Sequence, residues 1–487
     1  PQYVEPPAGT TAAAVAAPHT HGAGTAELGS ETTFDEGTPS RALIMGQAPG
    51  THWYHAHKHG STAIDVSNGM TGVFIIEGGY DQAISTYYDP KNPRAPNSVA
   101  WTRKQPVLVI NQIGVSPNLF LGGAGQDKGP DFSVNGKMNP LLDMAPGEVK
   151  MFRIANTSSR AGAYFIGPPA GYHWKQIAQD GVQFNQTNWG DLKTNMDKPF
   201  LLMAGNRADL LVQAPATPCT TNCKVPIQVY NIVDLTDLPA PGSAPPPYKL
   251  SLLTLNLTGT QIKPPMDIMT TAPAFPSFLS DIGDNEVRGT KKVLFASTPP
   301  FQAQHTIDGH KFDGEVGEVV LLNTVEEWKI SNATANPNIS HPFHIHINPF
   351  QVTEVFNPNA TLADGITPKY LTYMPAGGLK AGQCYLNPMA ANPDDWKSCD
   401  PPQPTPKNLI WWDVFPIPSA LAAVDAAGNP IKVDGKQVLI PGYFKMRSRF
   451  VDYSGYYVIH CHILAHEDRG MMTIVEVAPA VSPYSHH

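Results

Sequence analysis

Ten of the 17 histidines fall into four tight clusters: His19-Thr20-His21-Gly22, His55-Ala56-His57, His341-Pro342-Phe343-His344-Ile345-His346, and His460-Cys461-His462 with His466 close behind. Residues i and i+2 of a strand point to the same face, so each His-x-His pair offers two imidazoles on one side. Imidazole suits Cu, Zn, Fe and Ni, and eight such side chains converging could hold about three ions. Cys461 stands in the middle of the last pair. On a strand its sulfur faces away from His460 and His462, so it would bind a different ion, a few covalent bonds from theirs. That arrangement is a path for electrons. A thiolate with two imidazoles and a weak axial thioether makes a blue-copper site, and the candidates are Cys461, His341, His466 and Met471. Met472 is the rival for the axial place; adjacent strand residues face opposite sides, so only one of the two can serve.

A lone His-x-His is more often an incidental surface pair than a ligand, and short motifs carry that risk generally. The run His55-Ala56-His57-Lys58-His59 also resembles the zinc clusters of metallo-hydrolases, but those place an Asp where Lys58 stands. Neither alternative accounts for four pairs with a cysteine at the centre of one. His52, His59, His173, His305 and His310 read as polar or loop residues, and His486 and His487 as a tag remnant.

Such ligands need short, well-anchored strands to hold them, and the composition supplies these. At roughly 150 residues per domain, 487 residues suggest about three domains. The 49 prolines and 41 glycines exclude an all-helical protein or a coiled coil and favour short strands joined by many turns. The net charge of -8 argues against nucleic acid as a partner. No apolar run approaches the ~18–20 residues of a membrane helix. The start, Pro1-Gln2-Tyr3, has no signal-peptide character, so any such leader is expected to have been removed.

Strand-like runs occur at 42–45, 72–76, 105–110, 149–154, 207–212, 227–232, 250–257, 319–322, 327–330, 409–414 and 456–463. The Pro/Thr-rich stretch Ile262 to Pro276 reads as a linker. The expected architecture is all-β, with three Greek-key sandwich or barrel domains over residues 1–100, 101–285 and 286–487. Cys219 with Cys223 and Cys384 with Cys399 read as two local disulfides, which points to an oxidising compartment and a secreted or periplasmic protein. Cys461 is left over.

The four histidine motifs resemble the copper motifs of the multicopper oxidase family, close to the bacterial laccase type. The last, His-Cys-His-Ile-Leu-Ala-His-Glu-Asp-Arg-Gly-Met-Met, is the most specific. Ser133-Val134-Asn135-Gly136-Lys137 with Ala145-Pro146-Gly147-Glu148 is similar to the start of the family's second domain. The resemblance implies three cupredoxin domains and four coppers. It gives His19 and His344 to the type 2 copper, and His21, His55, His57, His346, His460 and His462 to the type 3 pair. Only 18 residues precede His19, fewer than the family has, so the first domain is expected to lack its N-terminal strands.

The implied activity is one-electron oxidation of phenols or aromatic amines coupled to four-electron reduction of O2 to water. A small aromatic reductant and O2 are the expected partners, with no nucleic acid, no membrane and a monomeric state. The alternatives are a cuprous or ferrous metallo-oxidase, a bilirubin-oxidase-like enzyme, and a non-catalytic copper-binding cupredoxin protein. Met266 and Met269 form no Met-rich segment of the kind soft Cu(I) favours, so aromatic substrates are preferred. Glu467, next to His466, resembles the glutamate that relays protons in bacterial laccases. Asp35 and Glu27 are rivals for that task.

Overall fold

The computed structural model describes residues 32–33, 43–44, 47–88, 105–112, 132–190, 195–239, 249–298, 304–335, 337–389, 397–398 and 409–479. Strands between Val107 and Leu257 build one β-sandwich. One sheet runs Phe200–Leu202, Gly162–Phe165, Lys224–Ile232, Leu250–Leu257, Leu141–Met144, and the other has seven strands centred on Val149–Asn156 and Arg207–Gln213. Phe152, Ile154, Phe165, Trp174, Leu210 and Leu253 fill the space between them. Val149–Asn156 is buried along almost its whole length. Its second face, with Met151 and Val149, is covered by Tyr80 and Ile84 and by Trp189, Ile268 and Met269. This explains why apolar residues occupy both of its faces.

A second sandwich uses strands between Val287 and Ala478. Its six-stranded sheet contains Val287–Ser297, Thr324–Asn332, Gly442–Phe450 and Phe350–Phe356; its five-stranded sheet contains Met472–Ala478, Gly455–Cys461, His341–Ile345 and Val414–Ile417. Thr324–Asn332 shows the plain period of two, with Glu326, Trp328, Ile330 and Asn332 buried and the residues between them half-buried. Both sandwiches contain parallel pairs, such as Val287–Ser297 against Thr324–Asn332, which require crossovers rather than simple hairpins.

The N-terminal unit contributes the hairpin Gly50–His55 and Thr71–Ile76, the short pair Thr32–Thr33 and Leu43–Ile44, and two helices, Thr62–Ser67 and Gly79–Tyr88. The helices were not expected. Gly79–Tyr88 fits between Gly78 and Pro90, a proline-free window that is short but sufficient. Two further expectations are corrected. The run 409–414 is not one strand: it breaks at Asp413, where the chain passes from the six-stranded sheet to the five-stranded one. The run 456–463 ends at Cys461 and turns into the helix Leu464–Glu467. The stretch Ile262 to Pro276, expected as an interdomain linker, lies between the last strand of the first sandwich and the first strand of the second. It is irregular but pinned to the first sandwich, with Ile262 N donating to Pro146 O and Met266 N to Gly147 O at 2.9 and 2.8 Å.

A fully buried ionic network joins the hairpin and Gly79–Tyr88 to the first sandwich. The Arg153 guanidinium donates to Asp81, to Gln105 Oε1 at 2.9 Å and to Thr51 Oγ1 at 3.1 Å, and Tyr80 and Thr51 both donate to Asp209. A buried charge is tolerable only while paired. Arg153→Met would leave Asp81 and Asp209 without their cation. It is expected to cost about 3–5 kcal/mol, read as a lowered denaturation midpoint; an unchanged midpoint would refute the role given to this network.

Candidate metal centre

The strand Gly455–Cys461 carries the two sites apart. His344 lies opposite His460 and Phe343 opposite Cys461 on the neighbouring strand, so the histidines share one face of the sheet and the sulfur enters the sandwich core on the other.

On the core side, Cys461 Sγ lies 3.4 Å from His341 Nδ1 and 3.8 Å from His466 Nδ1, and the two nitrogens are 3.3 Å apart. All three residues are buried. His341 Nε2 faces Thr334 Oγ1 at 2.9 Å, which leaves Nδ1 as the free donor. His466 is brought back by the turn after Cys461, and Met471 follows it, its amide on the His466 carbonyl at 2.9 Å. Met471 is fully buried in the same apolar cluster as Cys461. Met472 is buried with Tyr456, Val458 and Ile474 on the opposite face, in register with His460. Burial pushes the Cys461 thiol far up and His341 down to about 3. A dry triangle of one sulfur and two neutral imidazoles suits a soft or borderline metal ion, which would itself remove the thiol proton.

On the other side, His57 Nε2 and His346 Nε2 each lie 3.2 Å from His460 Nε2. His57 comes from the connection between the two hairpin strands, so this triangle spans the first and last units. His55 and His462 lie beside it, rings 5.6 Å apart, with Trp53 stacked on His55 at 4.4 Å. His344 is 5.0–5.5 Å from His346, His460 and His462, centre to centre. The second nitrogens are backed by acceptors. His344 Nδ1 donates to Asp413 O at 2.8 Å and His55 Nδ1 to Ala56 O at 2.8 Å, so their Nε2 atoms are left as lone-pair donors. Neither nitrogen of buried His462 has a hydrogen-bond partner among the described residues. Burial, then the neighbouring imidazoles, pushes His344, His346 and His462 well below the usual range and His55 to about 4. Neutral imidazole is the metal-binding form. The orphaned His462 and the convergent neutral donors fit a cluster of metal ions. His19 and His21 lie outside the described residues, as do Glu27 and Asp35.

Glu467 stands behind the triangle. Its buried carboxylate lies 3.1 Å from His460 Nδ1 and 3.4 Å from His57 Nδ1. Burial favours the protonated acid, but His460 first and then His57 outweigh it and hold the group down to about 2. The next residue, Asp468, accepts the amides of Gly60, Thr62 and Ala63 at 2.8–3.0 Å, capping the helix after His57 and tying that loop to the last motif.

Three features were not foreseen. His305, read as a loop residue, is buried with its ring stacked on His466 at 4.0 Å. The middle unit supports the cluster although none of its described residues joins the imidazole groups. Arg207 donates bidentately to Asp413 at 2.6 Å and to Thr51 O at 3.1 Å, fixing the residue whose carbonyl orients His344. Gly205, at φ +95°, backs onto His462, where a Cβ would come within 2.8 Å of the ring. No spacing signal marks these positions. Of the other histidines, His173 is exposed and paired with Asp197, and His59 meets Phe312 edge-on. His52, also read as a loop residue, instead lies in the strand Gly50–His55 with its ring packed on Gly181. Cys219 and Cys223 form a disulfide. Cys384 is also disulfide-bonded, and its expected partner, Cys399, lies outside the described residues.

Residues 287–375 and 390–481 match a family model described as multicopper oxidase. A laccase of Bacillus subtilis (strain 168) is 22% identical over 445 residues, 87% of this chain and 70% of its own. A Staphylococcus aureus multicopper oxidase is 22% identical over 457 residues, 91% and 73% of the two chains. Among solved structures, the McoA multicopper oxidase of Aquifex aeolicus superposes with a TM-score of 0.57 at 17% identity, covering 90% of this chain and 78% of that one. A Campylobacter jejuni multicopper oxidase described as a metallo-oxidase gives 0.53 at 17%, covering 90% and 75%. These structural likenesses are of fold, and the fold is all-β and cupredoxin-like.

Replacing Gly205 by alanine adds strain at a positive φ and presses on His462. Gly205→Ala is expected to lose at least one metal ion from the imidazole cluster while the Cys461 site stays filled. Metal analysis alongside the visible spectrum reads both; full metal content would mean that Gly205 does not support His462.

Proposed function

Since this chain belongs to the multicopper oxidase family, oxidoreductases that use copper and O2, we propose that it is a laccase-type member oxidising phenols and aromatic amines. The observation that carries the reading is the pair of sites joined at Cys461, whose sulfur stands in one and whose neighbours His460 and His462 stand in the other. In this reading Cys461, His341 and His466 would hold the type 1 copper, with Met471 as the thioether donor because it shares the sulfur's side of the sheet. His57, His346 and His460 would hold one copper of the type 3 pair; His55 and His462, with His21, would hold the other; His344 and His19 would hold the type 2 ion. When bound, the coppers supply one-electron oxidation at the first site and four-electron reduction of O2 to two waters at the cluster.

The protein's own share is to admit electrons, conduct them and deliver protons. Of the two imidazoles at the sulfur, only His466 reaches the surface, at 6% exposure against 0% for His341, so substrate meets His466. From the sulfur, the path to the cluster is the main chain of residues 460–462. Four protons are consumed for each O2, and metal-bound imidazoles cannot donate them. Among the described residues Glu467 is the carboxylate in reach, beside the outer nitrogens of His57 and His460. A metallo-oxidase acting on Cu(I) or Fe(II) is less well supported. Met269 is buried and Met266 packs beside it in the same core, where its sulfur accepts the Val149 amide, and the charged groups bearing on His466 are Arg160 and Arg469. The disulfide Cys219–Cys223 favours secretion or a periplasmic location; no helix among the described residues is long and apolar enough to cross a membrane.

Steady-state kinetics on a phenol, an aromatic amine, bilirubin, Cu(I) and Fe(II) test the substrate class: turnover confined to the metal ions would overturn it. Cys461→Ser is expected to abolish the blue absorption and substrate oxidation while the cluster keeps its copper. Persisting intense blue colour would remove Cys461 from the site. Glu467→Gln is expected to keep copper content and rapid anaerobic reduction by substrate but to slow reoxidation by O2, resolved by stopped flow. Unchanged reoxidation with slowed reduction would place Glu467 in the substrate path instead.

A further inference from the structure

Three cationic residues lie on or beside the turn that carries His466, the imidazole that meets substrate in the reading above. Arg160 follows Ser159, whose carbonyl accepts the amide of Leu464 at 2.9 Å, where the turn that carries His466 begins. Arg469 closes that turn, its amide on the His466 carbonyl at 3.2 Å. Lys311 lies against Gly470, where a Cβ would come within 2.8 Å of Lys311 Cβ, and Phe312 N donates to Gly470 O at 2.9 Å. The charges of Arg160 and Arg469 act on His466, and those of Arg469 and Lys311 on His305, which is stacked on it.

Arg160 is the informative member. It is half-buried, yet it makes no hydrogen bond or ion pair with any described residue. Burial alone holds its guanidinium below the usual arginine range. Drawing a guanidinium out of water with nothing to receive its donors is unfavourable, and its planar fork matches a carboxylate or similar oxyanion. The nearby carboxylates are committed elsewhere: Glu467 to His57 and His460, Asp468 to the helix start at Thr62.

Resting on the aromatic-oxidase reading above, we propose that Arg160, within the field of Arg469 and Lys311, is the anion-binding part of the substrate site, and that the favoured reductants are phenols or aryl amines bearing an acidic group. The acid group pairs with the Arg160 fork and the electron-rich ring lies at the open edge of His466. Each phenol gives up one electron and its phenolic proton and leaves as a phenoxyl radical. Four such events match the four electrons and four protons that O2 takes to become two waters. The same field opposes the approach of Cu(I) and Fe(II).

The test is steady-state kinetics of the copper-loaded enzyme on a ring-matched trio: a phenol with a carboxylate, its neutral methyl ester and a quaternary ammonium analogue, at low and high salt. The carboxylate is expected to exceed the ester in kcat/KM by about tenfold or more, the scale of a charge-assisted pair, with the ammonium compound poorest and the spread narrowing in high salt. In Arg160→Gln the carboxylate-to-ester ratio should fall towards one, through KM, with the blue band retained; Arg160→Lys should restore part of it. Equal use of carboxylate and ester by the unaltered enzyme, or an undiminished ratio in Arg160→Gln with an intact blue band, overturns the proposal. Oxidation of Fe(II) or Cu(I) with none of the trio turned over would overturn the aromatic-oxidase reading instead.

Discussion

The two-residue period of one strand governs this molecule. Because His460 and Cys461 are neighbours on Gly455–Cys461, they must leave the sheet on opposite faces, and a sandwich has a dry core on one face only. The sulfur therefore enters the core among Phe343, Ile459 and Met471, while the imidazoles enter the space between units. Each destination sets its own chemistry. In the core, two imidazoles present Nδ1 to a sulfur that burial alone would keep protonated. Between the units, His57, His346 and His460 present Nε2 to one another, with Glu467 behind His57 and His460 and a carbonyl behind His55 and His344.

The imidazoles come from different units, so those units must be held in register around them. Three contacts serve. Asp468 caps the helix that follows His57; Arg207 ties Thr51 of the hairpin to Asp413 of the last sandwich; Arg153 locks the hairpin and Gly79–Tyr88 to the middle one. The middle sandwich thus holds the cluster's geometry, with none of its described residues among the imidazole groups. Gly205 belongs to the same logic, since the backbone of that unit approaches His462 so closely that a side chain would not fit.

Much of this was legible in the sequence because the information is local. His-x-His spacing, the Cys between two His and the following His466 and Met471 all act within a few residues, and strand and turn geometry carry them into space almost unchanged. The strands over 149–154, 207–212 and 250–257 were readable for the same reason. The failures have a shared cause. Asp413 breaks an apolar run because its carbonyl serves both Ile345 N and His344, and the run after His460 leaves the strand so that His466 can return to the sulfur. In both places a distant partner overrode a local β preference.

The sequence by itself determined the donor types, their pairing on strand faces and the separation of the sulfur from its neighbouring imidazoles, since covalent spacing and the strand period suffice for those. Only the tertiary structure decided which imidazoles share a point in space, grouping His57 with His346 and His460, and which nitrogen of each ring is free to bind. It alone set Met471 apart from Met472, brought His305 onto His466 and left Arg160 with no counter-charge among the described residues. Those outcomes depend on contacts between residues hundreds of positions apart, and on the water their burial excludes, neither of which a local pattern encodes.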